Sequence, residues 1–228
     1  MSPKPGFSLI LFDLDGTLVD SAPDLGSVLN RLLLARGQSA LPLESYRTHV
    51  SKGAQGLLHR AFGLGPESPD YPDLLKSFLD LYQTHLAEHS VLFEGMPALL
   101  ADIEDRGFQW GVITNKRHRF TSILMERLGL EHRATCIVSS DTTAEPKPSP
   151  LPMRHALSIA GKTADEAIYL GDDQRDVLAG KSVHITTGAV TYGYHSPDNP
   201  PENWGADYLF DSPAAIHAFL KAGWNSPN

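Results

Sequence analysis

Phe7-Ser8-Leu9-Ile10-Leu11-Phe12-Asp13-Leu14-Asp15-Gly16-Thr17 is the stretch that decides the fold. Leu9 to Phe12 is an apolar, β-prone run that stops at two aspartates. Residues two apart on an extended chain point to the same side, so Asp13 and Asp15 face one space at the end of a buried strand. Gly16 lets the chain turn sharply. Two neighbouring carboxylates repel, and burial worsens the repulsion unless a cation or a shared proton relieves it. The stretch therefore asks for a divalent metal with oxygen ligands, most simply Mg²⁺. The plainer alternative is a solvated strand-to-turn, because Asp and Gly are common turn residues, so the rest of the chain has to decide.

The chain has 228 residues, 41% hydrophobic and 20% charged, which is enough to bury a sizeable core as one large domain or one domain with an insertion. Its net charge of −8 argues against non-specific binding to nucleic acid. The single cysteine, Cys136, leaves no intrachain disulfide and no multi-cysteine zinc site. The N-terminal apolar run is too short for a secretory signal and is broken by Asp13, and no run approaches membrane-spanning length. The expectation is a cytoplasmic protein that binds neither nucleic acid nor membrane, as monomer or homodimer.

From Val19 to Ser90 the pattern is helical, with no convincing strand. Leu25, Val28, Leu29, Leu32 and Leu33 recur at helical spacing, and Arg36-Gly37 stops that helix. A second segment spans Gly56 to Phe62 and ends at Gly63. A third spans Tyr71 to His89. About seventy residues of helix before the next strand read as an inserted domain rather than a crossover. Within it, Lys52 and Gly53 precede a helix N-terminus, where backbone N–H groups favour anions. An ordinary surface loop explains the same residues.

From Val91 onward strands and helices alternate, the signature of a parallel α/β sheet. Helix 96–105 ends at Gly107, strand 110–113 runs into Thr114-Asn115-Lys116, and helix 118–128 ends at Gly129. Strand 136–138 and helix 151–160 follow. Strand 167–170 runs into Gly171-Asp172-Asp173-Gln174-Arg175-Asp176 and a helix reaching Gly180. Strands 185–190 and 208–209 and a helix over 214–221 close the chain. Asp13, Thr114 and Asp172 each stand at the end of an apolar strand candidate, where parallel sheets bind ligands. Lys147 sits in the proline-stiffened loop Pro146-Lys147-Pro148.

In this order the four clusters resemble the signature of the haloacid dehalogenase (HAD) superfamily: Asp13 to Thr17, then Thr114, then Lys147, then Asp172 to Asp176. The resemblance implies a Rossmann-like parallel-sheet core, residues 1–18 and 91–228, with an inserted all-helical cap over 19–90. It implies a phosphatase working through an aspartyl-phosphate. Asp13 would be the nucleophile and Asp15 the general acid and base. Mg²⁺ would be held by Asp13, Asp15 through its backbone carbonyl, and Asp172. Thr114 and Asn115 would bind phosphoryl oxygens and Lys147 would offset charge. Thr17 and Asp176 would support the site, with Asp173 uncertain. Lys52 and Gly53 would contact the leaving group. The aspartate at position 15 is missing from the dehalogenases that attack carbon, so its presence implies phosphoryl chemistry. A phosphosugar mutase or a catalytically silent binding protein on the same fold carries the same motifs.

Three further stretches, Glu88 to Met96, Trp110 to Lys116, and Tyr192-Gly193-Tyr194-His195 through Asn203 to Asp207, resemble a branch that contains N-acetylmuramic acid 6-phosphate phosphatases. That resemblance implies a small phosphorylated amino sugar as substrate, with 2-phosphoglycolate as the alternative. Two departures stand out. Val183-His184 replaces the Ala-Gly that usually ends the helix after Asp176, which strains the chain if that position is left-handed. Ser139-Ser140-Asp141 stands where many relatives carry a glycine.

Overall fold

A computed structural model describes residues 6–224, so the outermost parts of the expected core segments, 1–5 and 225–228, lie outside the described residues. β1 (Leu9–Phe12) is buried along its whole length. It lies inside a six-stranded sheet with β4 (Gln109–Ile113), β5 (Cys136–Val138), β6 (Ala167–Gly171), β7 (Thr186–Val190) and β8 (Tyr208–Phe210). The strand order is β5-β4-β1-β6-β7-β8, and every pairing is parallel. β1 alternates its side chains between two apolar clusters. Ile10 and Phe12 join one with Leu99, Leu124 and Ile216. Leu9 and Leu11 join another with Met153, Ala156 and Ala179. A strand buried on both faces reads as an unbroken apolar run, which is why no polar residue interrupts Leu9 to Phe12.

Helices cover both faces of the sheet. α4 (Met96–Asp105), α5 (His118–Arg127) and α8 (Pro213–Trp224) take one side, and α6 (Leu151–Ala160) and α7 (Gln174–Lys181) the other. Between β1 and α4 the chain builds a helical cap from α1 (Ala22–Ala35), α2 (Gly53–Phe62) and α3 (Tyr71–His85), with a 3-10 turn over Arg47–Lys52. Leu29, Leu57, Leu58, Leu74 and Phe78 pack this cap, and their cluster is continuous with the core beneath the sheet.

Core elements shift by a few residues at their ends, and the stretch from Val19 to Ser90 departs from the sequence reading in three places. α2 starts at Gly53, not Gly56. α3 ends at His85, short of His89, because Leu86 turns extended and Ala87 goes left-handed at φ 62°. The cause is distant in sequence: the Asp24 carboxylate accepts hydrogen bonds from the backbone N–H groups of His89 (2.7 Å) and Ser90 (3.1 Å) and draws the chain out of the helix. Third, the region contains a short strand after all. β2 (Val19–Asp20) pairs antiparallel with β3 (Val91–Leu92), so the chain leaves and re-enters the core side by side. Two residues carry no periodicity to recognise.

His184 adopts φ 65°, the left-handed region, on the turn after α7, and its side chain is exposed. A non-glycine residue there costs about 1–2 kcal/mol, partly offset by the greater unfolded-chain entropy of glycine. His184→Gly is therefore expected to stabilise the protein by about 0.5–1 kcal/mol, a rise of roughly 1–4 °C in Tm for a chain of this size. Thermal melts of the two proteins check it, and a lower Tm for the glycine variant would show that the side chain holds the turn.

Candidate active site

β1 is flanked in the sheet by β4 and β6. The polar residues that follow these three strands therefore emerge side by side at one edge, with no help needed from the loops. Asp13 still donates its backbone N–H to Leu170 (2.8 Å), and Thr114 donates its own to Val138 (2.8 Å), so both residues remain anchored to the sheet. Gly16 turns the chain with φ 87°, and a Cβ there would stand 2.1 Å from Asp172 Oδ2. Only glycine lets the loop after β1 pass so close to the carboxylate that follows β6.

Asp13, Asp172 and Asp176 are all buried, and one carboxylate oxygen from each lies within 4.8 Å of the others. Asp13 Oδ1 accepts from the N–H of Leu14 (2.7 Å) and from Lys147 Nζ (2.9 Å). Its Oδ2 accepts no hydrogen bond from the described residues. Asp172 accepts from Thr17 Oγ1 (3.2 Å) and from the N–H of Tyr194 (2.7 Å). Asp176 accepts from Lys147 Nζ (2.7 Å), Tyr169 Oη (3.0 Å) and the N–H of Asp173 (3.0 Å). Burial, which disfavours the charged form, pushes the Asp13 carboxyl up to about 7 despite the opposing pull of Lys147. Burial and the neighbouring Asp13 and Asp176 raise Asp172 well above the carboxylate range. Three crowded acids of which two resist ionisation fit a hard divalent cation, whose charge would relieve that resistance. Asp176 fits it least, because its Oδ1 already takes the Lys147 ammonium and the Tyr169 hydroxyl and its Oδ2 the N–H of Asp173.

Lys147 is 4% exposed, and four oxygens surround its ammonium: Ile113 O at 2.9 Å, Tyr169 Oη at 2.8 Å, Asp176 Oδ1 at 2.7 Å and Asp13 Oδ1 at 2.9 Å. Burial works against its charge, but Asp13 and Asp176 outweigh it, and the net shift of Lys147 is upward. The side chain of Asn115 holds the Lys147 loop. Its Oδ1 accepts from the N–H of Lys147 (3.0 Å) and its Nδ2 donates to Lys147 O (3.0 Å). That leaves the backbone N–H of Asn115 for a ligand. Thr114 Oγ1 accepts from the N–H of Lys116 (3.1 Å), which leaves its hydroxyl proton free to donate.

Asp15 carries a partner that the sequence reading left unassigned. Lys116 Nζ lies 2.9 Å from both of its oxygens, and Ser21 Oγ donates to Oδ1. A second unassigned residue is Arg175, which forms an ion pair with Asp173 (2.7 Å) and donates from Nη2 to Ser51 O of the cap (2.7 Å). Both stand inside stretches singled out for other residues, Thr114-Asn115-Lys116 and Gly171 to Asp176. Asp15, the partner of Lys116, and Ser51, the cap partner of Arg175, lie far away in sequence, and nothing local marks either pairing.

Cap and core enclose a cavity of about 610 Å³. Asp13, Asp15, Thr114, Asn115, Lys147, Asp172 and Asp176 line it from the core, with Lys52 and Gly53 among the lining residues of the cap. Thr17 stands behind this wall, on Asp172. Lys52 and Gly53 are themselves exposed. Among the described residues no helix is long and apolar enough to cross a membrane.

The haloacid dehalogenase-like hydrolase model matches residues 10–190, and the chain belongs to that family. An N-acetylmuramic acid 6-phosphate phosphatase from Pseudomonas putida is 40% identical over 211 residues, 92% of this chain and 95% of that one. A phosphoglycolate phosphatase from Xanthomonas campestris is 36% identical over 218 residues, 96% of this chain and 97% of that one. Among solved structures, a predicted phosphoglycolate phosphatase from Haemophilus somnus superposes with a TM-score of 0.80 at 27% identity, covering 92% of this chain and 96% of that one. The parallel sheet with an inserted helical cap is the architecture expected of the family.

Proposed function

We propose that this hydrolase is a Mg²⁺-dependent phosphatase that hydrolyses N-acetylmuramic acid 6-phosphate in the cytoplasm, as monomer or homodimer. The observation that carries the substrate is the size of the cavity, about 610 Å³. Pockets of roughly 300–1,000 Å³ bury drug-sized ligands, and a two-carbon phosphoester would leave most of this one filled with water. The 40% identical relative of that name supports the same choice. The relatives named phosphoglycolate phosphatase favour 2-phosphoglycolate as the second reading.

In this reading the free Oδ2 of Asp13 attacks phosphorus and forms an aspartyl-phosphate, while the leaving oxygen takes a proton from Asp15. Asp15 then removes a proton from the water that cleaves the intermediate. Thr114 Oγ1 and the Asn115 N–H donate to phosphoryl oxygens, and Lys147 offsets their charge. Asp13, Asp172 and the Asp15 carbonyl would hold Mg²⁺, with Thr17 and Asp176 in support and Lys52 and Gly53 near the leaving group. The bound ion supplies the positive charge that lets a carboxylate approach a phosphate dianion.

The test is kcat/KM on both esters with Mg²⁺ present. A preference of about a hundredfold or more for the amino sugar, on the order of 3 kcal/mol in transition-state binding, is the expected result. The reverse preference would transfer the assignment to 2-phosphoglycolate. Well-folded protein inert towards both esters and towards simple aryl phosphates would remove the catalytic reading.

A further inference from the structure

The cavity has an apolar wall that the phosphoryl chemistry does not use. Leu25, Leu75, Phe78, Leu79, Tyr82 and Phe120 line it. Tyr82 is 2% exposed; its hydroxyl oxygen lies beside the Lys116 ammonium, but among the described residues no acceptor takes the hydroxyl proton. A buried hydroxyl proton left unpaired is costly, and proteins rarely keep one without a use. The ring cannot easily turn away to find an acceptor. It stacks on Phe78 at 6.2 Å between centroids and tilts against Phe120 at 5.3 Å. The Lys116 ammonium, itself bound to Asp15, lies 5.1 Å from the Tyr82 centroid. Burial pushes the phenol up to about 12, so it stays neutral and able to donate at physiological pH.

We propose that the Tyr82 hydroxyl is a specificity-determining donor, which hydrogen-bonds an acceptor oxygen on the leaving group of the substrate. The wall around it is apolar, so the complementary leaving group has a hydrocarbon face and at least one oxygen directed into that face. A substituted sugar ring has both. This assignment rests on the phosphatase reading above and adds to it the residue that chooses among esters. Sites built around a buried polar group reject analogues that leave it unpaired, more strongly than apolar pockets reject an extra methylene.

Tyr82→Phe removes the oxygen and keeps the ring, so the packing against Phe78 and Phe120 survives. Two measurements decide the proposal. The first compares kcat/KM for N-acetylmuramic acid 6-phosphate with that for phenyl phosphate, whose leaving group is a bare hydrocarbon ring. The variant is expected to lose at least about tenfold more on the sugar ester than on phenyl phosphate. An equal change on both would overturn the proposal, because it would mark Tyr82 as serving every ester alike or none. The second is the ligand-free melting temperature, which is expected to hold or rise in Tyr82→Phe, since the hydroxyl proton has no acceptor to lose and Lys116 keeps both oxygens of Asp15. A clear fall would show an acceptor inside the protein and would also overturn it. If the wild type hydrolyses 2-phosphoglycolate and not the sugar ester, the substrate reading fails alone. The same comparison made with 2-phosphoglycolate against phenyl phosphate then judges Tyr82.

Discussion

Asp13→Asn is expected to lower kcat by at least about 10⁴-fold, a barrier increase of roughly 5.5 kcal/mol. Oδ2 of Asp13 is the one oxygen of the acidic cluster without a hydrogen-bond partner among the described residues, and Asp13 lines the cavity. An amide oxygen in its place carries no full charge and is a poor nucleophile towards phosphorus. The neighbouring donors Thr114, Asn115 and Lys147 remain, so the variant should still bind phosphate esters while failing to turn them over. Single-turnover phosphate release with saturating ester checks this. Turnover within tenfold of wild type would end the assignment of Asp13 as nucleophile.

The same substitution has an expected effect on stability with the opposite sign. Burial raises the Asp13 carboxyl from its ordinary 3.8 to about 7. An acid raised in this way adds stability that is complete below pH 3.8 and is lost as pH climbs through 7. Ionised Asp13 is thus a liability of the metal-free protein at neutral pH, at most roughly 4 kcal/mol. Metal-free Asp13→Asn should melt several degrees above wild type at pH 7.5, and the gap should narrow towards pH 5. Mg²⁺ should stabilise the wild type more than the variant and so reduce the gap.

Much of the core was legible because its signals are local. Leu9–Phe12, Cys136–Val138, Met96–Asp105 and Leu151–Ala160 end where the apolar runs end, at aspartate, at serine or close to glycine. The left-handed backbone at His184 was legible only through the resemblance, which puts a glycine at that position. The clustering of Asp13, Thr114 and Asp172 follows from strand ends alone in a parallel sheet. What escaped depends on contacts between distant residues. α3 ends early because Asp24, more than sixty residues away, captures His89 and Ser90. The Lys116–Asp15 pair joins residues 101 apart. The Arg175 contact with Ser51 O joins core to cap across 124 residues. None of these leaves a mark in composition or periodicity.

Lys147→Met is the variant for which the largest loss of stability is expected, and the loss comes through its neighbours. The ammonium is the cation against both Asp13 and Asp176. Removing one partner of a buried ion pair leaves the other charge uncompensated, at a cost of about 3–5 kcal/mol. Activity should fall as well, by about 10²–10³-fold, because a donor aimed at the transferring group is gone. The two losses separate in a double-mutant cycle. Asp176→Asn in the Lys147→Met background removes the stranded carboxylate, so it should recover part of the stability, with a coupling of about 1–3 kcal/mol. It should not recover turnover, because the cation near Asp13 is still absent and the acidic cluster has lost a member. Urea denaturation of the four proteins measures the coupling. A Lys147→Met variant within 1 kcal/mol of wild type, or no coupling to Asp176, would mean that water or a rearranged side chain replaces the ammonium, and that the ion pair does not hold this end of the sheet together.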